Sequence, residues 1–194
     1  MPEHLQPQHS PYNTLQKLAE YDLAVAKALV YPYVSDSRVA SLVCCASFEP
    51  EWSLFIDRLD GNTNVATVYE ADTQIWGAVN PSGVKATSKS LKVESAIAET
   101  FAKVCVRLLR DVRHPDENQI GLDGAFYHFF FRDIEFGFLS GSTWSPRPAS
   151  PPGKLVSLSH ALRRHITHAE GRDSSLIEIQ KLIHWFRSQK LIGK

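Results

Sequence analysis

The chain has 194 residues, 43% of them hydrophobic and 22% charged, with 21 basic and 21 acidic side chains. That composition excludes a collagen-like or disordered chain, and the zero net charge excludes a global field drawing nucleic acid or a membrane surface. A chain of this size buries roughly 70% of its unfolded surface, so its core needs no covalent staples.

The charge is unevenly placed. Residues 147–194 carry nine Lys or Arg against three acids, and the remainder is acidic by the same margin. The pattern fits a basic partner-binding face, or basic helices resting on acidic strands of the same domain. The three cysteines are Cys44, Cys45 and Cys105. An odd count with two adjacent is a poor disulfide framework, and free thiols favour a reducing compartment. The first residues, MPEHLQPQHSPY, have neither a basic nor an apolar signal region, and no apolar run reaches a membrane span of about 18 residues. A cytoplasmic protein with no membrane partner is expected.

In chain order, residues 1–12 read as a flexible polar arm ahead of one domain over 13–194. Asn13 to Val30 reads as a helix, capped by Asn13 and stopped by Pro32. Arg38–Phe48 is a small, β-branched run, as in a strand buried on both faces. Trp52–Leu59 alternates, Asp60-Gly61-Asn62 signals a turn, and Asn64–Ala71 completes a hairpin. Gln74–Val79 is expected to extend the sheet. Val84–Val93, with Lys85, Lys89 and Lys92, reads as a more exposed strand. Ser95 to Arg113 shows an apolar stripe of Ile97, Phe101, Val104, Leu108 and Val112, with Ser95 as cap and arginines at the negative end.

The stretch Gly121–Gly153 holds six of the ten Phe residues. Phe126–Arg132 and Phe136–Ser142 read as a hairpin, and the run Phe129-Phe130-Phe131 predicts a central strand. Pro146, Pro148, Pro151 and Pro152 then stiffen the path, and Gly153 releases it into a helix from Lys154 to Ala169. A last helix starts at Asp173 or Ser174 and runs to Leu191. Hairpins with helices gathered around them predict an α+β fold with a mainly antiparallel sheet of about five to seven strands.

Chemical motifs are sparse. His165 and His168 share a helix face at i, i+3, without the arrangement of a zinc protease. Ser142 in Gly141-Ser142-Thr143-Trp144 lacks the strand–Gly-x-Ser-x-Gly–helix context of a hydrolase elbow, although His128 lies one strand earlier. There is no phosphate-cradling glycine loop and no repeated acidic metal motif, so no cofactor and no metal site are expected. The basic C-terminal helices carry Arg163, Arg164, Arg172, Lys181, Arg187 and Lys190 with Trp185, but no recognisable nucleic-acid module.

Two segments resemble known sequences. Phe48-Glu49-Pro50-Glu51-Trp52-Ser53-Leu54 resembles an EPEW strand start. Leu122-Asp123-Gly124 with Tyr127, then Gly141-Ser142-Thr143-Trp144-Ser145-Pro146 and Pro152-Gly153-Lys154-Leu155-Val156, resembles a DG…GxTWSP…PPGKLV pattern. Both are similar to small uncharacterised bacterial proteins. The resemblance covers about a quarter of the chain and implies a bacterial origin and a single α+β domain. That family has no established activity, so no functional residue transfers.

The expectation is therefore a non-enzymatic protein-binding protein of the immunity or inhibitor kind, acting on a bacterial toxin or effector. Its contact residues are read as the hairpin tip Arg132, Asp133 and Glu135, with Trp144 and Arg147 at the proline bend. The alternatives are a small hydrolase using His128 and Ser142, and a nucleic-acid-associated regulator using the basic C-terminal helices.

Overall fold

The computed structural model describes residue 5 and residues 16–30, 37–59, 63–112, 124–133 and 137–192, with the backbone alone described at 16–19, 132, 133 and 138. The elements are α1 (Gln16–Leu29), β1 (Arg38–Ala46), β2 (Trp52–Arg58), β3 (Asn64–Ala71), β4 (Ala86–Val93), α2 (Ser95–Arg110), β5 (Ala125–Asp133), β6 (Gly137–Trp144), α3 (Pro151–Thr167) and α4 (Arg172–Ser188). The six strands form one antiparallel sheet in the order β4-β3-β2-β1-β5-β6. The architecture is α+β, as the alternation of hairpins and amphipathic helices predicts. The expected turn at residues 60–62 and the capping residue Asn13 lie outside the described residues.

The period of two in each strand divides the core. Ala40, Leu42 and Cys44 of β1 join Trp52, Leu54 and Ile56 of β2 on one face, with Tyr127 and Phe129 of β5. The apolar stripes of α2, α3 and α4 cover that face through Phe101, Leu155, Leu158, Leu162, Ile179 and Phe186. Leu5, within the stretch expected to be an arm, is fully buried in the same core. On the other face Val43 meets Ala24, Val25 and Leu29 of α1, together with Ala71 and Ile75. Cys44 and Cys45 thus point to opposite faces, as their adjacency on a strand requires.

Four readings of local structure need correction. Ser95 does not cap α2: Glu94 occupies the cap position without a side-chain bond, and the Ser95 hydroxyl instead accepts from Asn64 Nδ2 at 3.1 Å. Residues 74–79 are not a strand, because the Glu51 carboxylate takes the Ile75 and Trp76 N–H groups that a ladder would use. Helix α3 begins at Pro151, three residues early. The first turn of a helix needs no N–H partners, so two prolines start it rather than block it. Strand β5 is interior but not central: β1 and β6 flank it, Phe129 is fully buried, and Phe130 and Phe131 are half-buried on opposite faces.

Candidate partner-binding site

One end of the sheet gathers the close of β1, the start of β2, the close of β3, the start of β5 and the close of β6. Backbone locks hold it. Ser47 N–H donates to Gly124 O at 2.9 Å, and Ala71 N–H donates to Glu51 O at 2.9 Å. Ser145 N–H donates to Ala125 O at 3.0 Å, while the Ser145 hydroxyl accepts from Ala125 N–H at 3.0 Å. Gly124 fits this joint because a Cβ there would lie 2.2 Å from Ser145 Oγ and 2.8 Å from the Trp144 ring. Glu51, fully buried, accepts from Ile75 N–H at 2.7 Å and from Trp76 N–H at 3.1 Å. The Gln74 side chain donates to Ser47 O and ties the same segment to the β1–β2 loop.

On the α1 face this end carries a row of aromatic side chains. Phe126 stands opposite Trp144 in the β5–β6 register, with ring centroids 4.5 Å apart. Cys45 stands opposite Phe126 in the β1–β5 register, so the two share a face. Tyr21 of α1 neighbours the side chains of Cys45 and Glu51, and its ring meets Trp76 edge-on at 5.1 Å. The row therefore runs Trp144, Phe126, Cys45, Tyr21, Trp76, with Phe48 in the loop beside it. Phe48 is 76% exposed, Trp76 54% and Phe126 42%. Large aromatics exposed together stand out on a protein surface, where such side chains are more often buried.

The polar groups in this row are chemically quiet. Burial, then the neighbouring Cys45 and Glu51, drives the Tyr21 phenol far above its ordinary range. Burial also pushes the Cys45 thiol up to about 12, so it is not a thiolate nucleophile at neutral pH. The arrangement offers aromatic contact area.

The residues expected at a partner surface divide into two places. Arg132 and Asp133 pair with Phe138 and Gly137 at the far end of β5–β6, and Glu135 lies outside the described residues. Trp144 and Arg147 lie at the aromatic end, where Trp144 is half-buried and Arg147 exposed. The hairpin separates the two groups by roughly 23 Å, at ~3.3 Å per residue. Tyr21, Phe48, Trp76 and Phe126 are the members that sequence reasoning did not assign to a site. Phe48 directly precedes the EPEW segment, and Trp76 lies beside turn signals. Those positions were the available clue.

His128 and Ser142 stand directly opposite each other on the α1 face. His128 Nδ1 is nonetheless buried without a hydrogen-bond partner. Burial alone lowers its imidazole to about 4, with no carboxylate acting on it. The pair thus lacks both the serine–histidine hydrogen bond and the orienting acid that activate a nucleophile. His165 Nδ1 faces Ser175 Oγ and Arg172 O at 3.1 and 3.2 Å, and His168 Nδ1 faces Thr167 Oγ1 at 2.8 Å. Among the described residues no group of three or more His, Cys, Asp or Glu side chains converges as a metal requires.

The opposite face holds a second polar network. Tyr127 and His160 share a hydrogen bond of 3.0 Å. Arg163 stacks over Trp52 at 4.9 Å and pairs with Glu70 at 2.6 Å. Burial and then Arg163 and Arg164 lower the His160 imidazole, so it stays neutral beside those cations. This network fastens α3 to the sheet. Comparison with protein-family models, with curated proteins and with solved structures found no match. Among the described residues no helix is long and apolar enough to cross a membrane.

Proposed function

We propose that this chain is a non-enzymatic protein-binding protein of the immunity or inhibitor kind, which occupies the surface of a bacterial toxin or effector in the cytoplasm. The observation that carries this reading is the exposed aromatic row of Phe48, Trp76 and Phe126, with the backbone at Trp76 fixed by the buried Glu51 carboxylate. Large rigid aromatics dominate binding energy at protein interfaces, and a surface fixed before contact loses little entropy on docking. Three free thiols suit a reducing compartment. Arg147 lies at the polar margin of the row, where a charged side chain steers encounter more than it adds affinity.

The test is affinity capture from the source cells, with wild-type chain and with Trp76→Ala and Phe126→Ser chains of unchanged melting temperature. The expected outcome is one protein retained by wild type, bound at least about tenfold more weakly by each variant, a loss of about 1.4 kcal/mol. Coexpression then relieves the growth inhibition that this protein causes. Equal retention by all three chains overturns the assignment to the aromatic row. A captured protein that is harmless to growth overturns the immunity reading.

A further inference from the structure

Helix α4 packs on α3 and α2 through Ile179, Leu182, Ile183 and Phe186. Its outward side is not polar throughout. Ile177, Gln180, Lys181, His184, Trp185 and Ser188 line a shallow open groove of about 540 Å³. Their spacing places them on one stripe three turns long, roughly 17 Å at ~1.5 Å per residue. Ile177 is 52% exposed, and the half-buried Trp185 ring packs edge-on against Phe186 at 5.2 Å. This face of α4 therefore carries one half-buried aromatic ring and one exposed aliphatic side chain.

Its margin is basic. Lys181 lines it, Lys154 Nζ sits 5.8 Å from the Trp185 ring, and Arg187 is exposed on the same helix. Of the acids on α4, Glu178 pairs with Arg164 at 2.5 Å, and Asp173 sits at the first turn, away from these cations. We infer that this groove docks an acidic amphipathic helix of a protein partner, its apolar side chains at i, i+4 and i+7 meeting Ile177 and Trp185 and its carboxylates meeting Lys181 and Lys154. Helix-in-groove recognition uses that anchor spacing, and complementary charge sets the partner's polar flank.

Two other occupants fit less well. A second copy brings together two stripes that each carry Lys181 and no acid to meet it. Nucleic acid binds through many phosphate contacts, whereas the lining of this groove carries a single Lys or Arg, Lys181.

The probe is a labelled synthetic peptide of about five helical turns, with leucines at i, i+4 and i+7 flanked by glutamates. A partner version replaces the glutamates by lysines. Anisotropy titrations use the full chain. The acidic peptide is expected to bind at least about tenfold more tightly than the basic one, and to lose about tenfold with Lys181→Glu and with Ile177→Asp. Raising salt from 50 to 300 mM weakens it further. Both variant side chains are exposed, so melting temperatures stay unchanged. Equal affinity for both peptides overturns the proposal, as does affinity untouched by both substitutions. Tighter binding of an RNA or DNA duplex assigns the groove to nucleic acid instead. A concentration-dependent dimer abolished by Ile177→Asp assigns it to a second copy.

Discussion

Glu51 places a carboxylate at full burial, where it holds the N–H groups of two consecutive residues, Ile75 and Trp76. Charge-assisted bonds of this kind are short and strong, and removing the acceptor strands two donors. Glu51→Ala is expected to lower stability by about 3 kcal/mol, read from urea midpoints, and to speed amide exchange at residues 75 and 76. The EPEW segment was conspicuous in the sequence, but its role was not legible, because the partners lie 24 and 25 positions downstream. His128 supplies the pH dependence at this scale. Its folded value of about 4 lies below the ordinary 6.5 because burial disfavours the cation. The unfolded chain then binds the proton more readily, so the stability present above pH 6.5 is lost as pH falls toward 4. At pH 5 the loss is about 2 kcal/mol relative to pH 7, at ~1.4 kcal/mol per unit. His128→Leu is expected to flatten urea midpoints over that interval. Steepness equal to wild type would refute the assignment to His128.

Helix α3 shows how a whole element rests on a few contacts. Ser150 Oγ accepts from Gly153 N–H at 3.1 Å and donates to Arg147 O at 2.8 Å, so the proline bend and the helix start are one unit. A Cβ on Gly153 would lie 2.0 Å from Arg147 O. Backbone cannot yield as a flexible side chain can. Gly153→Ala is therefore expected to cost roughly 2–3 kcal/mol, measured by denaturation and by a lowered melting temperature. The helix itself was legible from Leu155, Leu158, Leu162 and Ile166, all buried as the period requires. Its true start was not, because proline looks like a breaker until the unpaired first turn is considered. The stripe of α2 was legible for the same reason, and the strand expected at 74–79 failed because a distant side chain claimed its donors.

For the molecule as a whole, the sequence of element types could be read in order, and β4 was rightly expected to be exposed, since Thr87 to Ser90 are open to solvent. The strand order could not be read. Pairing of neighbours gives β1 through β4 as a meander, but nothing local says that β5 returns to the far side of β1. The candidate site was missed in part for that reason. Its row forms only when α1, β1, β5 and β6 meet, so no single segment carries its signature. Charge segregation was legible in the sequence, and the structure divides its use. Arg163 and Arg164 are satisfied within the domain by Glu70 and Glu178, while Lys181 faces outward.

The return of β5 also has a consequence for synthesis. Ala40 to Ala46 pair with Phe131 to Ala125, and all of β2, β3, β4 and α2 lie between them in the chain. Such distant pairing forms late, because a long loop must close before the contact stabilises anything. On a ribosome adding about 5–20 residues per second, β1 waits on the order of ten seconds for β5. Through that interval the apolar run Ala40–Cys45 keeps one hydrogen-bonding edge open. A nascent chain in that state is a template for pairing with its neighbours, so the sheet's middle is the place where chaperone demand and inclusion-body formation should concentrate.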